Sequence, residues 1–342
     1  MKFFLPVVLC LFSFNLTKIY GQSSPINKEH FFSDSTILNA ALVTNLGKLV
    51  REKNTGYQLR ALFVSTLRDS TVVHDPVLLQ IRGHFRKDFC YLPPLEVNFK
   101  YEKSATLHKL GSLKLVSECQ SEDVYGQYLL KEFIVYKLYN LLTDLSFRVR
   151  LLNLNLVDSG SKKKTITEHA FLLEDIKDVA KRNDCKDWKK GKVFAQDADR
   201  RQMTMVAIFE YMIGNTDWGV PANHNTRLIV SKTDSLSRPF VVPYDFDYSG
   251  LVNTDYAVPT ELFPIHSVRE RYYMGFPRTQ EELNETLDIF RQQKNNMYAL
   301  IQNFDLLTTR SKKDMTGYLD EFFDDISKAA RVKRIFIQGA RR

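Results

Sequence analysis

Long apolar runs are almost absent from this chain of 342 residues. Beyond the first sixteen residues no stretch approaches the roughly 20 apolar residues that span a bilayer, so no membrane span is expected after residue 21. Cysteine is scarce, at four. The spacings match no zinc site and no cysteine stands beside a plausible histidine base, which excludes a zinc ribbon and a thiol nucleophile. No internal repeat or low-complexity segment is present, which excludes a repeat architecture. A paired-histidine motif and an evident nucleophile are both missing, so a metal-dependent hydrolase is the weakest enzymatic reading. Charge is not concentrated either. The net charge of +8 is spread out, with small clusters at Lys162-Lys163-Lys164, Lys189-Lys190 and from Arg331 to Arg342. A diffuse positive balance favours anionic partners weakly. With no recognisable binding module it argues against nucleic acid.

What is present points to a folded protein. Hydrophobic residues make up 44% and charged residues 26%, with 24 Phe and 16 Tyr. Such a composition supports a substantial core and argues against disorder. The length suits one large two-lobed domain or two small ones. Met1-Lys2, the apolar residues 3–16 and the small Gly21 before Gln22 have the form of a secretory signal peptide. The expected mature chain is exported, to the periplasm, cell envelope or medium, and carries a charge of +6 once Lys2 and Lys18 are removed. It keeps Cys90, Cys119 and Cys185. That odd count fits one disulfide with one free thiol, or three unpaired thiols.

Periodicity divides the mature chain. Residues 34–52 read as a helix with Asp34 as cap and Leu38, Ala41, Leu42, Leu46 and Val50 as its stripe. Residues 77–82, 95–99 and 109–116 read as strands. Residues 123–144 read as one long amphipathic helix, 148–157 and 168–173 as a hairpin, and 175–182 as a helix. Helices are expected at 197–213, ending at Gly214, at 280–303 and at 313–330, with strands at 226–230 and 240–244. The expected organisation is a signal peptide (1–21), a β-rich first part with one long helix (22–174), and a mainly helical second part (175–342). That segregation is α+β.

Two short segments carry the chemistry. One is Asn215-Thr216-Asp217-Trp218, followed by Asn223-His224-Asn225; the other is Pro243-Tyr244-Asp245-Phe246-Asp247. Carboxylates and amide carbonyls are oxygen donors, which hard cations prefer. An Asp, then an Asn, then an Asp at the end of an apolar strand is the order of groups in kinase phosphoryl-transfer sites.

Together with Ile81-Arg82-Gly83 followed by Arg86, and Leu113-Lys114-Leu115 followed by Ser117, these segments resemble the spore coat protein H (CotH) kinase family over most of residues 75–250. The resemblance implies a two-lobed protein-kinase-like fold, with a β-rich N-terminal lobe and a mainly helical C-terminal lobe. It implies ATP and Mg²⁺ or Mn²⁺ as cofactors and a hydroxyl of an exported protein or glycan as acceptor. Asp217 would then be the catalytic carboxylate; its competing reading is a turn aspartate. Asn225 and Asp245 would ligate metal, with Asn223 the alternative to Asn225 and Asp247 a second carboxylate ligand. For Asp245 and Asp247 the competing reading is a salt bridge to Arg269 or Arg271. Lys114, with Lys100 as alternative, would contact nucleotide phosphate, Glu132 would pair with that lysine, and Arg82 and Arg86 would bind phosphate. The chain departs from the kinase pattern in having no Gly-rich loop and in a longer Asp-to-Asn spacing. The alternative function is a catalytically inactive kinase-like binding or assembly protein of the envelope.

Overall fold

The computed structural model describes residues 27–83, 85–160, 165–234 and 236–341. The expected signal peptide, the Lys162-Lys163-Lys164 cluster and Arg342 lie outside the described residues. The chain runs through helix α1 (Lys28–Ser33), strand β1 (Leu38–Thr44), helix α2 (Leu46–Arg51), strands β2 (Gln58–Thr66) and β3 (Val72–Ile81), and helix α3 (Phe85–Phe89). Strands β4 (Leu95–Asn98) and β5 (Ser112–Ser117), the long helix α4 (Asp123–Asn140), and the hairpin of β6 (Val149–Asp158) and β7 (Thr165–Leu173) follow. Next come α5 (Ile176–Arg182), β8 (Cys185–Asp187), α6 (Arg200–Ile213), β9 (Thr226–Ser231) and β10 (Phe240–Pro243). The chain ends with α7 (Gln280–Gln302), α8 (Thr309–Ser327) and α9 (Ala329–Val332).

Strands β1 to β7 close into a barrel in the order β1-β2-β3-β4-β5-β7-β6. The closing contact is the parallel pairing of β1 with β6, from Leu38 opposite Leu152 to Thr44 opposite Asp158. The other neighbours are antiparallel. This closed mixed barrel overturns the expected two-lobed kinase-like fold, whose first lobe would be an open sheet. The reason lies in residues 34–66. Leu38, Ala41 and Leu42 fit a helical stripe, but the buried set is Leu38, Ala40, Leu42 and Thr44, which is the period of a strand. With β1 read as helix and β2 not read at all, the two strands that bridge β6 and β3 are missing from the expectation.

The barrel interior is apolar, built from Leu42, Phe63, Val77, Leu79, Val97 and Leu154 among others. One stretch of its wall, β5 to β7, is covered on its outer face as well. There Val116, Leu151, Phe171 and Leu173 pack into a second core with α4. That double burial is why β6 begins with four successive buried residues instead of alternating. Helix α4 is buried on almost its whole circumference, so it is not the amphipathic surface helix its periodicity suggested. Behind it lie α6, α7 and α8 and a small antiparallel sheet, β10-β9-β8. Asp199 caps α6 by accepting the Gln202 N–H at 2.8 Å, and Gly214 ends it in the left-handed region at φ 68°. That glycine turns the chain abruptly into residues 215–225, which return toward the barrel beside the loop that follows β10.

Candidate functional site

Lys114 stands on β5 between Leu113 and Leu115, which point into the barrel, so its side chain leaves the outer face. Its ammonium lies 4.1 Å from the centre of the Tyr244 ring, and the Arg227 guanidinium of β9 lies 5.2 Å from the same centre. Arg82, just beyond β3, donates from Nε to the Leu95 carbonyl at 3.2 Å. Burial, reinforced by the charge of Arg82, brings Lys114 down to about 8. Asp245 opposes this, and its charge acts on Arg82 as well. Three cations therefore gather around Tyr244 at the mouth of the loop bearing the acids.

The acids are positioned by α4. Tyr136 accepts the backbone N–H of Asp245 at 2.8 Å. One turn earlier, Glu132 lies close enough to the Phe246 backbone for that N–H to favour its charged form. Residues four apart share a helix face, so a single face of α4 meets the 245–246 backbone, with Tyr136 holding it at Asp245. Asp245 needs that support because its φ is 67°, a region costly for a residue with a Cβ. Asp247 accepts the Tyr256 hydroxyl at 3.0 Å and lies 4.0 Å from the Arg86 guanidinium. Burial, then the neighbouring Asp245, raises Asp247 to about 6. Burial, then Asp247 and Asp245, raises Glu132 well above the carboxylate range, and Arg86 pulls it back. Arg86 is itself anchored through the Ser117 carbonyl at 2.8 Å. A disulfide between Cys90 and Cys119 ties the chain after α3 to the chain after β5. Cys185 is free and buried.

Asp217 completes the group. Its backbone N–H donates to Asn215 Oδ1 at 3.0 Å. Its two carboxylate oxygens are engaged separately: His224 Nε2 lies 2.6 Å from Oδ1, and Asn225 Nδ2 donates to Oδ2 at 3.0 Å and to the Asp217 carbonyl at 2.7 Å. The Asn225 carbonyl accepts the Tyr244 N–H at 2.9 Å, which fastens this loop to the other. Asp217 is near enough to contribute to the raised pKa of Asp247. Each Asp217 oxygen keeps a second lone pair for a further donor.

The sequence-derived residues Asp217, Asn225, Asp245, Asp247, Lys114 and Arg82 therefore converge. Asn223 does not reach Asp217; it lines a cavity beside Arg227. Glu132 is near the acids but does not meet Lys114: it faces Arg86 and Phe246, whereas the carboxylates acting on Lys114 are Asp245 and Glu96. The salt bridges to Arg269 and Arg271 do not form either, since those arginines pair with Asp314 and Glu321. Tyr136 and Arg227 are the residues sequence reasoning missed. Tyr136 reads as one more apolar position on α4, and Arg227 as a solvent-facing strand position.

Among the described residues no three His, Cys, Asp or Glu side chains are grouped so as to hold a metal ion. Magnesium seldom needs such a cage; one or two carboxylates together with substrate phosphates commonly suffice. Glu132 Oε1 is buried with no hydrogen-bond partner, and burial together with the neighbouring Asp245 pushes Glu132 and Asp247 upward against the pull of Arg86. Asp245, Asp247 and Asn225 bring oxygen donors that could hold a divalent cation arriving with phosphates. No protein-family model matches the chain, and no curated protein matches it.

Proposed function

We propose that the chain is an exported phosphotransferase that moves the γ-phosphate of ATP to a hydroxyl of a protein or glycan, with Mg²⁺ or Mn²⁺. One observation carries this reading: three cations (Lys114, Arg82, Arg227) gather at Tyr244 beside Asp245, whose charge acts on Lys114 and Arg82 and on the neighbouring Asp247, which Asp217 in turn influences. A polyanion with its counter-cation is the ligand that satisfies both sides. Beside Arg227 a cavity of about 360 Å³ is lined by Ile176, Asp187, Trp188 and Leu228, a size and lining suited to the nucleotide base. The disulfide supports an oxidising compartment.

In this reading Lys114 and Arg227 neutralise phosphate oxygens. The metal would supply charge neutralisation at the phosphates. Asp217 takes the proton of the acceptor hydroxyl while that oxygen forms a bond to the γ-phosphorus and the bond to the bridging oxygen of ADP breaks. His224 and Asn225 hold the Asp217 carboxylate in a fixed orientation.

A second reading is a nucleotide binder that transfers nothing. It is favoured by one observation, the absence of the Lys114–Glu132 pair that active protein kinases require. Incubation with γ-labelled ATP, envelope extract and either metal separates the two: label on an acceptor supports the enzyme, and binding without label supports the binder.

The Lys114 ammonium gives a pH signature. Its pKa in the free protein is lowered to about 8. The charged form, the one that attracts phosphate, dominates below that value and is lost above it. Nucleotide affinity is therefore expected to be flat from pH 7 to about 8 and to fall as pH rises further. Lys114→Met should bind more weakly and lack that limb. Calorimetry between pH 7 and 9.5 on both proteins checks this; an unchanged limb in the variant assigns it elsewhere.

A further inference from the structure

Tyr248 follows Asp247 directly, and two main-chain bonds set where it lies. The Gly250 N–H donates to the Gly214 carbonyl at 3.1 Å and the Leu251 N–H to the Ile213 carbonyl at 2.9 Å. The two segments run in opposite directions there, so the residues before Gly250 and the residues after Gly214 leave this junction on the same side. Tyr248 stands two residues before Gly250, and Asp217 three residues after Gly214. The Tyr248 ring packs against Tyr256 at 5.8 Å between centres, and the Tyr256 hydroxyl donates to Asp247 at 3.0 Å. Burial raises the half-buried Tyr248 phenol, and the charges of Asp247, Asp217 and Asp245 raise it further, with Arg86 opposing. The neighbouring tyrosines are placed otherwise. Tyr136 uses its hydroxyl to accept the Asp245 N–H, and Tyr244 lies under Lys114 and Arg227. Their strongest charged neighbours are Glu132 and Arg227 respectively. Tyr248 is thus a hydroxyl of the chain itself, placed between the carboxylate that would take a proton and the acids that would hold metal.

Resting on the phosphotransferase reading, we propose that Tyr248 is a self-phosphorylation site, its phenol oxygen taking the γ-phosphate of the ATP bound to the same chain. Tyr248 Oη forms a bond to the γ-phosphorus, and the bond from that phosphorus to the bridging oxygen of ADP breaks. The phenol proton passes to Asp217, whose oxygens each keep a lone pair for it. The transfer is intramolecular, because Tyr248 is held at the site by its own Tyr256 and by the bonds of its own loop to residues 213–214.

The test is incubation of the full chain with γ-labelled ATP and Mg²⁺ or Mn²⁺, without extract, after treatment with a phosphatase that is then removed. The expected result is alkali-stable label on the chain, mapped to Tyr248 by mass spectrometry and formed at a rate independent of protein concentration. Tyr248→Phe should remove the label while leaving the melting temperature unchanged. Asp217→Asn, which keeps Tyr248, should slow labelling about 10²-fold. Label on another residue of the wild type, undiminished label in Tyr248→Phe, or a rate that rises with protein concentration overturns the proposal. Addition of envelope extract tells this failure from failure of the underlying reading. A chain that labels extract proteins but not itself remains a phosphotransferase and has no acceptor at Tyr248. A chain that labels neither, with either metal, loses both.

Discussion

Asp217→Asn is expected to bind Mg²⁺ and ATP with near wild-type affinity and to transfer phosphate about 10²-fold more slowly or worse, the range for a positioned general base. The substitution keeps the size and shape of the side chain. It also keeps one oxygen acceptor, for the Asn225 amide or for His224. What it removes is the charge that takes the acceptor proton. Nucleotide affinity should survive because the cations that would hold phosphate come from β5, β9 and the end of β3, not from this loop. The contrast with Lys114→Met, which should weaken binding, separates a role in chemistry from a role in binding. The measurement is single-turnover label transfer alongside calorimetry. Equal transfer by Asp217→Asn and wild type would remove Asp217 from the mechanism.

Arg86→Met should destabilise the fold by about 3 kcal/mol near pH 8, the lower end of the cost of leaving a buried charge without its partner. Methionine keeps most of the stem and loses the charge that faces Asp247 and pulls Glu132 down. The loss should depend on pH in a definite direction. Asp247 already lies at about 6, above its ordinary value of 3.8, and removal of Arg86 raises it further. An acid raised in the folded state binds more protons folded than unfolded, so stability falls as pH rises between the two pKa values. The variant should therefore be close to wild type near pH 4 and fall away toward neutrality. Arg86→Met combined with Asp247→Asn should recover much of the loss, because the amide brings no charge. Denaturant unfolding of the three variants at pH 4.5 and 8 tests this; a pH-independent loss would mean that Arg86 acts only through its bond to the Ser117 carbonyl.

The parts of the fold legible in the sequence were those with an uncontested period. Strands β4, β6 and β7 and helices α4 to α8 fall close to where alternation, helical periodicity and the Gly214 stop put them. Strand β1 was not legible, since Asn39 to Val43 supplies apolar residues at both spacings and only the neighbours β2 and β6 decide between them. That one ambiguity hid the closure of the barrel. In the site, the acids and Lys114 stood out because they interrupt apolar runs. Their partners did not: Tyr136 is hidden among aromatic residues of a buried helix, and Arg227 gains its meaning only from the Tyr244 ring beside it. Asn223 and Asn225 could not be told apart by spacing, whereas both have positive φ and only Asn225 reaches Asp217. The pairing of Cys90 with Cys119 likewise depends on α3 and the end of β5 meeting in space.

The central claim is that cations and acids around Tyr244 together form one metal-dependent nucleotide site. Titration calorimetry with a non-hydrolysable ATP analogue, on wild type and on Asp245→Ala, tests it most directly. The account predicts saturable binding by wild type that requires Mg²⁺ or Mn²⁺ and is lost in a folded Asp245→Ala. No binding by wild type with either metal, or equal metal-dependent binding by the variant, would contradict it.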